Sequence, residues 1–342
     1  MDTQALPAEG IPAEEVPFAG LTPETLLAAV ESAGVAADGR LLAMNSYENR
    51  VWQIGCEDAE PLVAKFYRPG RWSDAQILEE HAFVAEMAAA ELPVVAPLIC
   101  DGTTLFHQVG FRFALYPRRG GRAPELDKPD VLTWMGRLMA RLHLVGARQS
   151  FVARPALDAD SFGYEVCEWL YESGEIPEDV IEVWAGVAAE ALASVDACYE
   201  RAGDVALLRL HGDCHAGNVL WAPEAGGGPH FVDFDDARTG PDVQDLWMLL
   251  SGEAEEMAGQ LRHVLEGYEL FRPFDRRELH LVEALRTLRL LHYSAWLARR
   301  WRDPAFPVAF PWFKAPRYWE ERTLELREQI ARMDEAALPG LV

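Results

Sequence analysis

Asp213 and Asn218 stand five residues apart in His211-Gly212-Asp213-Cys214-His215-Ala216-Gly217-Asn218, and Asp233 follows in Phe231-Val232-Asp233-Phe234-Asp235-Asp236. A carboxylate can orient a hydroxyl and take its proton. A carboxamide oxygen with a second carboxylate can hold a hard cation against phosphate oxygens. Asp-x-x-x-x-Asn is a spacing that divides these tasks within one loop. The residues therefore predict phosphoryl transfer from magnesium-bound ATP to an alcohol, with Asp213 as base and Asn218 and Asp233 as Mg²⁺ ligands. Asp235 is a further ligand candidate, and Asp236 reads as structural. His211, Cys214 and His215 suggest zinc, but no second Cys/His cluster completes a tetrahedral set. A Cys214 nucleophile paired with His211 or His215 is disfavoured, because neighbouring carboxylates raise a thiol pKa.

The elements around this loop are legible in outline. Leu207–Leu210 is a short apolar strand leading in. Val219–Trp221 and His230–Val232 predict a hairpin behind the loop. Gly226–Gly228 lacks a following Lys-Ser/Thr and reads as a surface turn. Far upstream, Arg50–Ile54 and Leu62–Tyr67 predict a second hairpin. Lys65 alternates with Val63 and Tyr67, away from Leu62, Ala64 and Phe66. Ser73-Asp74-Ala75-Gln76 is a capping box that opens a helix to about Leu92. Glu80 shares its face with Ile77, Val84 and Met87. A carboxylate among apolar residues needs a cation, and Lys65 is the expected partner, with Glu79 as the competing choice. A strand lysine paired to a helix glutamate positions ATP phosphates in kinases. The turn Met44–Asn49, with Ser46 at its centre, lies where a loop would cover those phosphates. It lacks Gly-x-Gly-x-x-Gly and is equally consistent with an ordinary polar turn.

Thr22-Pro23 predicts a helix start, ended by Gly34. Further strands are expected near Leu98–Cys100 and at Phe111–Tyr116. Pro117–Gly121 breaks the pattern and marks a hinge. Asp127 is positioned to cap a helix through about Leu144, in which His143 reads as a packed core histidine. Helical patterns continue over residues 162–171, 177–201, 241–250, 254–270 and 276–300. The Pro- and aromatic-rich Trp301–Trp319 should pack over them. The expected fold class is α+β. A small antiparallel-sheet lobe with one main helix (21–117) would bind nucleotide, a larger mainly helical lobe (118–336) would hold the catalytic and substrate groups, and an acidic disordered lead (1–20) would precede both.

Lys plus Arg number 31 against 55 Asp plus Glu, a net charge of −24. That balance argues against nucleic acid or an anionic membrane as partner and suits a cationic target. Cys56, Cys100, Cys167, Cys198 and Cys214 are odd in number and widely spaced, as in a reducing cytoplasm. No signal peptide and no apolar run of about 18 residues is visible. The default oligomeric state is a monomer.

His211-Gly212-Asp213 with Asn218 and Asp233-Phe234-Asp235 resembles the aminoglycoside-phosphotransferase and choline-kinase superfamily, a branch of the kinase fold. Asn45–Val51, Lys65–Pro69, His211–Leu220, Val243–Leu250 and Asp303–Pro307 are further similar to the bacterial stress response kinases within it. These blocks span nearly the whole chain from about Leu21. The resemblance implies a two-lobed kinase-like fold and ATP- and Mg²⁺-dependent phosphorylation of Ser and Thr in proteins. By position, Asp213 matches the active-site Asp, Asn218 and Asp233 the magnesium ligands, Ser46 an ATP-contacting serine, and Asp245 a buried residue bracing the catalytic loop. The Trp221–His230 insert and the N-terminal lead depart from the family pattern. A small-molecule kinase for an amino alcohol, aminoglycoside or sugar uses the same residues, as does a nucleotide-binding pseudokinase, so the motif alone leaves these alternatives open.

Overall fold

Five strands near the N-terminus form one antiparallel sheet: β1 (Ala37–Ala43), β2 (Arg50–Cys56), β3 (Ala59–Phe66), β4 (Phe106–Gln108) and β5 (Phe111–Pro117). Their order is β1-β2-β3-β5-β4. The computed structural model describes residues 16–222, 227–335, 338 and 340. Most of the expected acidic lead falls outside these residues, and Val16–Gly20 forms turns ahead of α1 (Pro23–Ser32). Thr22 caps α1 by accepting from the Thr25 N–H at 3.2 Å, with Pro23 in the first turn.

The predicted hairpin is β2–β3, in a register that sets Val51 against Lys65. Alternation sends Ala64 and Phe66 into a core with Ile54, Phe113, Leu115 and the α1 residues Leu26 and Val30. Each large side chain so buried contributes roughly 1.5–3 kcal/mol. The same alternation turns Lys65 to the other face. β1 has no counterpart among the expected strands. Its Ala37-Asp38-Gly39-Arg40-Leu41-Leu42-Ala43 is mostly exposed and lacks the apolar alternation of its neighbours. The strand expected at Leu98–Cys100 is not formed. Between Pro97 and the Asp101-Gly102 turn, Leu98 donates one bond to Leu115 and Cys100 makes only a bridge to Thr103, so the outer strand is β4.

The capping box forms as expected at the start of α2 (Asp74–Ala89), with Ser73 and Gln76 bonded reciprocally. α2 faces two ways. Ile77 packs with Tyr67, Leu105 and Ala114 of the sheet lobe, while Phe83, Val84 and Met87 join the larger core.

That larger core is built by α3 (Pro129–Gly146), α4 (Glu165–Glu172), α5 (Ile181–Ala202), α6 (Val243–Trp247), α7 (Ala254–Tyr268), α8 (Val282–Arg299), α9 (Ala305–Ala309) and α10 (Pro316–Asp334). α3 begins at Pro129, and Lys128 rather than Asp127 occupies the cap position. Proline at the first helical position is the stronger start signal. α3 and α7 approach closely because a Cβ on Gly136 would lie 1.9 Å from Val264 O. Phe313 and Trp319 bury themselves against this core, as expected of the aromatic segment. α10 was not among the expected helices. Two short ribbons complete the lobe: β6 (Leu207–Leu210) pairs with β9 (Arg238–Pro241), and β7 (Val219–Ala222) with β8 (Gly227–Phe231). The second is the predicted hairpin. Gly227 and Gly228 belong to β8, and Gly226 lies outside the described residues. All five cysteines are free, and no described helix is long and apolar enough to cross a membrane.

Candidate active site

β6 delivers the chain to His211 at the mouth between the lobes. Gly212 sits at φ 84°, and a Cβ there would lie 2.1 Å from Asp236 O, so the turn admits only glycine. Asp245 of α6 is fully buried and accepts the N–H groups of His211 and Gly212, each at 2.9 Å. His143 backs it at 3.3 Å and is itself bonded to the Tyr268 hydroxyl at 2.8 Å. Burial opposes ionisation of Asp245, but the hydrogen bond and charge of His143, with His211 and the Gly212 N–H, hold its carboxyl below the ordinary aspartate range. The loop thus hangs on a buried carboxylate, and His143 is a packed residue with a bracing role.

A 3-10 turn, Ala216–Asn218, closes the loop. Asn218 Nδ2 donates to Asp213 O at 2.8 Å, leaving its carboxamide oxygen without a protein partner among the described residues. Asp213 Oδ1 lies 2.7 Å from Arg289 Nη1, and Oδ2 lies 3.5 Å from His215 Nε2. Asp233 follows β8 in the left-handed region (φ 60°, ψ 65°), which Asp tolerates better than most residues. Its carboxylate is 52% exposed and contacts Lys65 Nζ at 2.9 Å.

Lys65 does not pair with Glu80 as expected. Its partners are Asp233 and, at 3.1 Å, Asp235. Glu80 pairs instead with Arg154 at 2.9 Å. Arg154 arrives from the loop after α3, stacks on Trp72 and donates to the carbonyls of Asp235 and Ala237. Glu79 points elsewhere and accepts the backbone N–H groups of Val152, Ala153 and Arg154. Burial works against the Lys65 ammonium, but Asp233, Asp235 and Glu80 outweigh it and raise its pKa well above the usual lysine range. Glu80 therefore acts on Lys65 through space. Asp235 is not a free ligand: Lys65, Arg71 and Asn49 hold it, and against burial Arg71 and Lys65 keep its carboxyl low. Asp236 is tied to Arg71 at 2.8 Å and Arg238 at 2.9 Å, which fits its structural reading.

Two cavities meet at Asp233. One, about 280 Å³, is walled by Val51, Val63, Val84, Val95, Leu220 and Phe234, with Lys65, Glu80 and Asn218 also on its lining. The other, about 360 Å³, holds Asp213, Gln244 and a face of α8. Asn45, Ser46 and Asp233 line both. The 45–49 turn roofs the junction and is tied down from the helical lobe. Glu48 binds Arg300 at 2.5 Å and Trp296 Nε1 at 2.5 Å, and Arg68 bridges the Tyr47 and Glu48 carbonyls to Asp303. Such a division suits a flat apolar group with phosphates in one cavity and an alcohol in the other. Zinc finds no support: Cys214 is buried beside Met139, His211 donates toward Val232 O, and no group of three or more His, Cys, Asp or Glu side chains placed to hold a metal ion forms among the described residues. Burial pushes the Cys214 thiol well up, assisted by Asp245 and Asp213, which disfavours the thiolate that a nucleophile needs.

Residues 40–282 match the model of the phosphotransferase enzyme family. The chain belongs to that family, a class of kinases whose fold carries a small antiparallel-sheet lobe and a helical lobe. Within it, the chain is 44% identical over 321 residues to stress response kinase A of Escherichia coli (strain K12), covering 94% of this chain and 96% of that one. It is likewise 44% identical over 328 residues to serine/threonine protein kinase RdoA of Salmonella typhimurium (strain LT2), with 94% and 96% covered. Among solved structures, the amicoumacin kinase hAmiN in complex with AMP-PNP, Ca²⁺ and Ami superposes with a TM-score of 0.69 at 17% identity, over 90% of this chain and 93% of that one. A microcompartment-associated aminopropanol kinase gives 0.68 at 16% identity, over 93% and 99%. Both share the fold.

Asp213, Asn218, Asp233, Ser46, Lys65 and Glu80 all line one or both of the two cavities. Arg154, Arg71, Glu48 and Arg289 escaped sequence reasoning. Arg289 alone carried a signal, as an arginine in step with Leu285, His292 and Trp296 along one face of α8.

Proposed function

We propose that the chain is an ATP- and Mg²⁺-dependent serine/threonine protein kinase of bacterial stress response, acting in the cytoplasm as a monomer. The observation that carries the phosphotransfer reading is the junction of the two cavities. Asp213 lines only the acceptor side, Asn218 only the nucleotide side, and Asp233 lines both. A phosphoryl group handed across that seam stays within reach of all three.

In this reading, Asp213 accepts a hydrogen bond from the acceptor hydroxyl, aims its oxygen at the γ-phosphorus of ATP and takes its proton as the new P–O bond forms and the bond from that phosphorus to the β,γ-bridging oxygen breaks, releasing ADP. Lys65, charged and buried, holds phosphate oxygens, with Glu80 supporting that charge from behind. The Ser46 turn closes over the phosphates and excludes water. The Asn218 carboxamide oxygen and the Asp233 carboxylate form an oxygen-only donor set, which fits Mg²⁺. When bound, that ion neutralises charge on the phosphates of the nucleotide.

The protein acceptor is supported by the relatives' names at 44% identity. A small-alcohol acceptor has one observation on its side: a cavity of about 360 Å³ lies within the range of small-molecule sites. γ-Labelled ATP supplied with protein acceptors and, separately, with ethanolamine separates the two. Label on serine or threonine is expected. Label on ethanolamine alone would remove the protein reading.

A further inference from the structure

We infer that Arg289 is a specificity-determining residue that selects an acceptor hydroxyl flanked by an anionic group, here a serine or threonine beside acidic side chains. This rests on the kinase reading of Asp213. Leu285, Arg289, His292, Tyr293 and Trp296 share one face of α8 and line the acceptor cavity. The charges in that cavity are almost all spent on one another. Glu48 is taken by Arg68, Arg71 and Arg300. Asp235 is taken by Lys65 and Arg71, and Asp236 by Arg71 and Arg238. Asp233 is held by Lys65.

Arg289 is different. Its carboxylate neighbour is Asp213, the group that must receive the acceptor hydroxyl. Nη1 stands 2.7 Å from Asp213 Oδ1, yet Oδ1 has no aligned hydrogen bond and is closed to solvent. The Arg289 side chain is 45% exposed and lines the cavity, so its guanidinium is accessible to an incoming group. A hydroxyl arriving at Asp213 must share the carboxylate with Arg289 or displace it. A carboxylate next to that hydroxyl gives the guanidinium a replacement partner with matching two-pronged geometry. A cationic alcohol would meet Arg289 and, among the carboxylates of the cavity, none that lacks a cation already. The net charge of −24 pointed to cationic targets, but it describes the whole surface, and the acceptor cavity has the opposite preference.

The test uses the full chain with Mg·ATP and four acceptors: a serine peptide flanked by glutamates, the same peptide flanked by lysines, glycerate and ethanolamine. The wild-type kcat/KM should favour the glutamate peptide by about tenfold or more. Arg289→Ala should erase most of that preference through KM, Arg289→Lys should keep it in weaker form, and Arg289→Glu should turn it toward lysine. Thermal melts check that each variant is folded. Folded Ala and Glu variants that keep the wild-type ratio would overturn the inference, as would a wild-type preference for the lysine peptide or ethanolamine. So would failure to phosphorylate either anionic acceptor while ATP is turned over. Arg289-dependent transfer to glycerate but to neither peptide would uphold the inference and remove the protein-acceptor reading. Equal transfer to both peptides would do the reverse.

Discussion

The two halves of the cleft are built from different materials. The half proposed for the nucleotide is a largely apolar slot whose walls include Val51, Val63, Val84, Val95, Leu220 and Phe234, with Lys65 and Glu80 buried among them. The half proposed for the acceptor is lined by ion pairs whose members come from far apart in the chain, such as Arg71 with Asp235 and Asp236. An apolar slot tolerates exchange among residues of similar volume. A buried ionic lattice does not, because removing one member leaves its partner charged and unpaired. Nucleotide binding should therefore survive many substitutions that the acceptor side cannot bear.

The largest effect is expected where the division is cleanest. Asp213→Asn should lower kcat by roughly 10²-fold or more while ATP affinity holds, because Asp213 lines only the acceptor cavity. A parallel loss of ATP affinity would break the separation of the halves. Asp233→Ala acts at the seam. It should weaken Mg·ATP binding about tenfold or more and reduce rate together; titrations with and without Mg²⁺ check this, and unchanged affinity with Mg²⁺ present contradicts its metal role. Glu48→Gln loosens the roof shared by both cavities. KM for ATP and for acceptor should each rise roughly three- to tenfold, and a rise in only one would assign the roof to that half.

The smallest effect lies outside both halves. Glu278 is buried, accepts the Val243 N–H at 2.8 Å, and is pushed up to about 8 by burial and then by Asp242. Its folded value exceeds the ordinary 4.5. Its contribution to stability is therefore fully present below pH 4.5 and is lost as pH rises through 8. Glu278→Gln keeps the acceptor oxygen and removes the titration. Its Tm should exceed wild type by a few degrees at pH 9, with the gap closing toward pH 5. A gap independent of pH would contradict the raised value.

This contrast also explains what could be read in advance. Asp213 and Asn218 are fixed by local spacing within one loop, and Lys65 by strand alternation, so both were legible. Pairings that depend on three-dimensional proximity were not. Lys65 and Glu80 looked like partners because one cation and one buried carboxylate stood close in sequence. Arg154 was invisible as the competitor, because it arrives on a loop 74 residues after Glu80. β1 escaped because its edge position asks for little apolar alternation. Arg289 sat within a helix whose stripe otherwise reads as core, and only the position of Asp213 across the cavity gives it meaning.

The central claim is that a phosphoryl group crosses the seam at Asp233 to a serine or threonine hydroxyl held by Asp213. The most direct measurement is single-turnover transfer from γ-labelled Mg·ATP to a protein acceptor, with the labelled residue located by mass spectrometry, for the wild-type chain and Asp213→Asn. The expected result is label on serine or threonine with wild type, and roughly 10²-fold slower transfer by the variant at saturating ATP. Transfer that proceeds at the wild-type rate in Asp213→Asn would contradict it.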